Sequence, residues 1–447
     1  MVPKLLFIPR HETSWSKMKI IIETLKTKFN CEILISSKKL DQLIDNSYKK
    51  IRILNYKKRN FFHIFLNSID FFLDKNSNLS NFFFFGILRI LITSVIYKFE
   101  TKFFIKKLKI LSPDLILLPG DRELSPILTI SKAAKVLQIP SVICVTSIPD
   151  PICLHTQRAK SKSFFVDIKK KGNLINKLAS YFLPNQTFSN NNERLLFSPG
   201  WRTFGLFFAG CISKKPWIQG GGNANYVFES DLNYKRIAEL YGRDRQKTIV
   251  IGDPHNEILK KKIYKKNREI ILFCPPQDAE HNLLPWDEHI KRINKISQAI
   301  QNLKKKEPVY FNLHPKANIS NYNFLEKKFG FIYSKNSFSQ EISRTKLLIS
   351  SASSIIPLFI AGKTPVFNID DLDFWNEKIV GINFGVHTIK SLTYIEQDLR
   401  AFYKEVNQLN FKKKLLANAM IMSKRLLVEK KFDKHIVEII MKILKKN

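Results

Sequence analysis

The sequence predicts an α/β protein of two Rossmann-like, doubly wound domains followed by a C-terminal helical segment. Three observations predict it. Short apolar runs recur, each followed by a polar turn and then a stretch of helical periodicity, as expected of parallel strands buried on both faces. The chain's 447 residues exceed what one ordinary domain holds. The pattern also restarts, because a strand over 248–251 ends in Gly252-Asp253-Pro254 and a second set opens with a strand over 269–274. The expected boundaries are 1–254, 255–390 and 391–447.

Taken in order, the first domain opens with a strand over 4–8, the loop Pro9-Arg10-His11-Glu12-Thr13-Ser14, a helix over 15–29 and a strand over 31–36. A weak strand over 51–54 follows, then one or two helices over 82–111. These feed a buried strand over 114–118 that ends in Pro119-Gly120-Asp121-Arg122-Glu123. A helix over 125–137 and a strand over 140–145 complete the unit. Periodicity then fades, and residues 183–199 read as a loop that contacts an acceptor. Gly220-Gly221-Gly222 is a turn without dinucleotide-binding spacing, followed by a strand over 226–228 and a helix over 231–241.

In the second domain, the loop Pro275-Pro276-Gln277-Asp278 follows the strand over 269–274, and a long helix over 286–304 comes next. The strand over 309–313 runs into His314-Pro315-Lys316, and the strand over 346–350 into Ser351-Ala352-Ser353-Ser354. Pro357 is tolerated only in the first helical turn, so a helix is expected to start at Ser353 or Ser354 with serine as N-cap and Gly362 as C-cap. Hydroxyls beside unpaired N–H groups at a helix start suit a phosphate. His314 and Lys316 add a proton donor and a cation at the same carboxyl edge, where ligands of open parallel sheets bind. The phosphate-binding candidates are therefore His314, Lys316, Ser351, Ser353 and Ser354. His11, Glu12 and Asp121, at the corresponding edge of the first domain, are candidate proton-transfer groups, and His314 is the fourth catalytic candidate.

A net charge of +36, from 74 Lys+Arg against 38 Asp+Glu, implies an anionic partner or a lysine-rich solvated surface drawn from a chain generally rich in Lys, Ile, Asn and Phe. The five cysteines are dispersed without a C-x-x-C pair and read as reduced core residues of a cytoplasmic protein. The opening apolar run is too short for a signal peptide. No zinc spacing, Walker loop, G-x-G-x-x-G or nucleic-acid recognition motif is present, so neither a metal, a dinucleotide cofactor nor nucleic acid is expected. Residues 82–97 (FFFFGILRILITSVIY) contain Arg89 and fall short of the roughly 20 that span a bilayer. They read either as a buried core helix or as a helix on an anionic membrane surface, which would place the protein on the inner face of the cell membrane.

The stretch Pro113-Asp114-Leu115-Ile116-Leu117-Leu118-Pro119-Gly120-Asp121 resembles a segment of nucleotide-sugar 2-epimerases that ends in Gly-Asp, and residues 225–254, ending in VIGDP, resemble the hinge strand of that superfamily. His314-Pro315-Lys316, the SSASS run at 350–354 and Gly362-Lys363-Thr364-Pro365-Val366 resemble the HP and SS motifs of capsule and sialic-acid-type transferases and of glycerophosphotransferases. The resemblance implies the GT-B architecture, two Rossmann-like domains facing across a cleft. It also implies that the histidine and serines hold a donor nucleotide's phosphates for metal-independent transfer to a surface-glycan or lipid-linked acceptor. The chain departs from the epimerase pattern, with Thr146-Ser147-Ile148 and Ser351-Ala352-Ser353-Ser354 where acids would be expected, and it lacks a sialyltransferase Asp-Glu-Gly motif. Two other readings stay open: a UDP-N-acetylglucosamine 2-epimerase-like enzyme using Asp121 and His11, and a non-catalytic basic protein that binds membrane or nucleic acid.

Overall fold

A computed structural model describes residues 2–53, 83–122, 126–144, 151–167, 172–190, 192–254, 259, 268–280, 284–303, 305–313, 317–336, 338–351, 353, 355–372 and 386–446. The chain divides into two units, one of Met1–Glu229, Tyr234–Ile251 and Asp433–Asn447, the other of Ser230–Asn233 and Gly252–Phe432.

The first unit contains β1 (Lys4–Phe7), β2 (Asn30–Ile35), β3 (Lys49–Arg52), β4 (Leu115–Leu118), β5 (Ser141–Cys144), a separate hairpin of β6 (Thr187–Asn190) and β7 (Glu193–Leu196), then β8 (Tyr226–Glu229) and β9 (Thr248–Val250). Apart from the hairpin, all pair in parallel in the order β3-β2-β1-β4-β5-β8-β9. Every residue of β4 and β5 is buried, which explains their unbroken apolar sequences. The helices are α1 (Glu12–Leu25), α2 (Lys38–Leu43), α3 (Phe83–Leu111), α4 (Ile127–Val136), α5 (Pro151–Arg158), α6 (Leu174–Phe182), α7 (Gly200–Phe208) and α8 (Leu232–Leu240). One core cluster joins Leu6, Leu34, Ile116 and Leu118 of the sheet to Phe104 and Leu108 of α3 and Ile127 and Ile130 of α4.

Two expectations need correction here. α1 begins at Glu12 rather than three residues later, because His11 caps it: Nδ1 accepts from Ser14 N at 3.2 Å, and Ser14 Oγ accepts from His11 N at 3.0 Å and Arg10 N at 2.9 Å. Residues 187–196, expected as loop, form the antiparallel hairpin turned by Asn192 at φ 60°. Its strands are only partly buried, so they lack the apolar run that marks the sheet strands.

The second unit contains β10 (Ile270–Cys274), β11 (Val309–Phe311), β12 (Ile332–Tyr333), β13 (Thr345–Ser351), β14 (Val366–Ile369) and β15 (Val386–Ile389). They form a parallel sheet in the order β12-β11-β10-β13-β14-β15. Its helices are α9 (Trp286–Gln301), α10 (Asn323–Phe329), α11 (Phe338–Glu341), α12 (Ile356–Ala361), α13 (Ile395–Val406) and α14 (Leu409–Arg425). Alternation along β13 shows the double winding. Leu347 and Ile349 pack with Ile293, Leu399 and Phe402 on one face, and Leu348 packs with Ile356, Phe359 and Met422 on the other.

The C-terminal helices are divided between the units. α13 and α14 supply core to the second, whereas α15 (Phe432–Lys446) belongs from Asp433 onward to the first, where His435 Nε2 lies 3.3 Å from Val250 O.

Candidate functional site

From β10 the strand order runs one way to β11 and β12 and the other way to β13, β14 and β15, so the second sheet reverses between β10 and β13. Ligands of doubly wound sheets bind at the carboxyl edge of such a point. Because β11 and β13 both run parallel to β10, the loops after all three leave that one edge. Ser350 and Ser351 end β13, where Ser350 Oγ donates to Ser351 O at 3.0 Å. Ser353 then makes a turn, its Oγ accepting from Ile355 N at 3.4 Å and its carbonyl from Ile356 N at 3.2 Å.

The helix that follows corrects the sequence reading. α12 starts at Ile356 with Ile355, not a serine, at the cap, no side chain caps it, and Pro357 stands in its first turn. It is six residues long, so few peptide dipoles align along it. Gly362 is its C-cap, with no need for positive φ; a Cβ there would lie 2.4 Å from Ile342 Cγ2, and Lys363 takes the left-handed turn at φ 61°. Arg268 binds the carbonyls of Gly362 and Lys363 and Thr364 Oγ1, and burial lowers its pKa to about 10. His314, Pro315, Lys316 and Ser354 lie outside the described residues.

Sequence reasoning missed the buried charges behind this edge. Arg292, on the second turn of α9, grips Asp371 after β14 through Nε (2.9 and 3.1 Å) and Nη2, and holds Asp278 after β10 through Nη1. Burial alone would push Arg292 down, but its hydrogen bonds to Asp371 and the Asp278 charge outweigh this and hold it up. One turn earlier, His289 Nε2 lies 3.0 Å from Tyr322 OH, whose hydroxyl also donates to Glu280. His289 Nδ1 lies 3.6 Å from Asp278 Oδ2. Thus α9 ties together the loops after β10, β11 and β14. These six side chains hold those loops at the carboxyl edge of the sheet.

In the first sheet the reversal falls between β1 and β4. His11 and Glu12 follow β1 and Asp121 follows β4, so the candidates are on the expected edge. Their surroundings differ. His11 and Glu12 are partly exposed, with His11 Nδ1 engaged in the α1 cap. Asp121 is 0% exposed, and its Oδ1 and Oδ2 accept from Gly220 N at 2.9 Å and Gly222 N at 2.7 Å. Burial pushes its carboxyl above the usual range, while the two glycine N–H groups pull the other way. A Cβ on Gly222 would lie 2.7 Å from Asp121 Oδ2, so glycine is what allows this approach. Arg122 reinforces the tie through Nη1 to Trp217 O at 2.9 Å. Asp121 is therefore a clamp on the glycine turn and not a carboxylate open to an acceptor.

No sequence-family model matches the chain, and no curated protein matches it in sequence. Solved structures do. The chain is similar to the wall teichoic acid polymerase TagF in a complex with CDPG (TM-score 0.51, 10% identity, covering 99% of this chain and 89% of that one). It is likewise similar to a UDP-N-acetylglucosamine 2-epimerase from Rickettsia bellii (TM-score 0.50, 11% identity, 100% and 98% covered). The chain has the GT-B fold. Each GT-B unit keeps polar residues at its reversal point, serines in the second and the β1–α1 turn in the first. Asp278 was legible as a loop residue, whereas Arg292 and Asp371, 79 positions apart, are joined only by tertiary structure.

Proposed function

We propose that this chain is a cytoplasmic GT-B transferase that moves a sugar, or a glycerophosphate, from a nucleotide-activated donor to a surface-glycan or lipid-linked acceptor. The observation that carries the reading is the convergence at the second sheet's reversal point, where the loops after β10, β11 and β13 leave one edge and the last is a serine run. Ser351, Ser353 and Ser354 are assigned to the donor phosphates, and His314 and Lys316 to the charge that builds on the leaving nucleotide. An acceptor hydroxyl oxygen bonds to the donor's reacting atom, the bond to the nucleotide phosphate breaks, and the nucleotide leaves with the electron pair. The hydroxyl proton passes to a general base. With Asp121 engaged by the glycine turn, His11 and Glu12 are the candidates. The hydroxyls after β13, where an epimerase needs acids to move a C2 proton, favour transfer over epimerisation.

Thermal unfolding of the full chain with CMP, CDP, UDP or GDP tests this. One nucleotide is expected to raise Tm, by the equivalent of about 2.7 kcal/mol at a hundred times its Kd, and the rise is expected to vanish in Ser353→Ala and His314→Ala. No response to any nucleotide would overturn the reading. Release of N-acetylmannosamine or its UDP form from UDP-N-acetylglucosamine without acceptor would replace it with epimerisation.

A further inference from the structure

In the first unit α6 and α7 pack against the side of α3 opposite its exposed positions 84, 87 and 91. α3 meets α6 so closely at Gly86 that a Cβ there would lie 1.9 Å from Ile175 Cδ1, and α7 crosses α3 at Gly205, where a Cβ would lie 2.6 Å from Thr93 Cβ. Asn176 of α6 fastens the start of α7, its Oδ1 accepting from Gly200 N at 2.7 Å. Arg89, the charge inside the apolar stretch, is turned inward: it is 3% exposed, and its guanidinium carbon lies 3.7 Å from the Trp201 ring centre. It therefore leaves the outward side of α3 without an acid or base among its first exposed positions.

That outward side is apolar. Phe84 (73% exposed) and Leu91 (58%) stand out from α3, with Ile87 between them. Soluble surfaces scatter such residues singly; here Phe84, Ile87 and Leu91 line up on one side of α3. Along α3 the spacing of positions 84, 87 and 91 continues through the exposed Lys98, Lys102, Lys106 and Lys109. Among the described residues these lysines have no carboxylate partner. The one acid on this helix, Glu100, is buried on its inner side. An apolar end running into a row of unneutralised lysines matches a surface that is greasy below and negatively charged above. A second copy docked on this side with its α3 parallel would set lysine row against lysine row, which disfavours that mode of self-association.

We propose that α3 lies on an anionic lipid bilayer, with Phe84, Ile87 and Leu91 at the acyl boundary and Lys98, Lys102, Lys106 and Lys109 among the headgroups. The contact is interfacial, since no described helix is long and apolar enough to cross a membrane. It does not depend on the transferase reading.

Co-sedimentation of the full chain with phosphatidylcholine vesicles, with and without phosphatidylglycerol, tests the proposal. Binding is expected only with phosphatidylglycerol and should fall steeply as salt screens the lysines. The triple variant Lys98→Gln, Lys102→Gln, Lys106→Gln is expected to weaken partition about a hundredfold, at about fivefold per lysine. The triple variant Phe84→Ser, Ile87→Ser, Leu91→Ser should reduce it further in high salt than in low. All six positions are exposed, so an unchanged Tm confirms folding; if the apolar variant misfolds, the lysine variant still decides. Equal binding to neutral vesicles, no binding to anionic ones, indifference to the lysine variant, or a solution dimer abolished by the apolar variant would overturn the proposal.

Discussion

At the reversal point of the first sheet, the acid that follows β4 is taken up by its own fold: Asp121 is wholly buried, and both its oxygens hold the glycine turn. At the reversal point of the second sheet, the hydroxyls of Ser350 and Ser353 bond, among the described residues, to backbone within two residues, and the ionised groups are set back behind them on α9 and the neighbouring loops. Both arrangements put polar residues on a ligand-binding edge. What separates them is whether the chain already satisfies those residues. A buried carboxylate with both oxygens in short N–H bonds has little capacity left for a substrate, whereas a lightly engaged hydroxyl can exchange a backbone partner for a phosphate oxygen at small cost.

The largest expected effect tests the second region's frame. Arg292→Ala would leave the buried Asp278 and the half-buried Asp371 without their cation, a change expected to destabilise the protein by about 3 kcal/mol. Urea unfolding measures it. Arg292→Lys should recover only part of the loss, because a single ammonium cannot reproduce the two-pronged grip on Asp371. A loss under 1 kcal/mol would show that this edge is not held by its charges.

The next tests the first region. Asp121→Asn keeps the shape but turns an amide N–H₂ toward one of the two glycine N–H donors, which should cost about 1–3 kcal/mol of stability. Nucleotide-dependent stabilisation should survive at its wild-type size. If stability were unchanged and turnover abolished, Asp121 would be acting chemically, and the contrast between the two regions would collapse. Ser353→Ala should behave in the opposite way, shifting stability by less than about 0.5 kcal/mol while removing the nucleotide response.

Much of this architecture was legible in the sequence. β4, β5, β10 and β13 are buried along most of their length, and burial on both faces writes itself as an uninterrupted apolar run. The edge on which the candidate residues fall followed from the strand-turn-helix order alone. What sequence could not reveal was partnership. Asp121 finds its glycines about a hundred residues away, Arg292 finds Asp371 across a sheet, and neither pairing leaves a local pattern. The start of α1 was hidden because histidine is not an ordinary N-cap, and that of α12 because a serine run suggests a cap even where the chain makes a turn first. α3 is apolar on nearly every side over its first four turns, so periodicity could not separate its buried face from its exposed one.

The smallest effect is a control placed away from both carboxyl edges. Glu307 precedes β11 and receives Lys346 Nζ at 2.5 Å and the Tyr403 hydroxyl at 2.5 Å. Burial pushes its carboxyl up, but these two partners outweigh that and hold it below the usual range. With the folded value below the unfolded one, the contribution is complete above the ordinary glutamate value of about 4.3 and is lost as pH falls through the depressed folded value. After allowance for solvent screening, it should amount to no more than about 1 kcal/mol. Glu307→Gln is therefore expected to be slightly less stable than wild type at neutral pH and equal to it in strong acid, with an unchanged nucleotide response at neutral pH. A nucleotide response that fell in this variant would mean that the site senses the whole sheet, and that the local contrast drawn between serine turn and glycine clamp is too narrow.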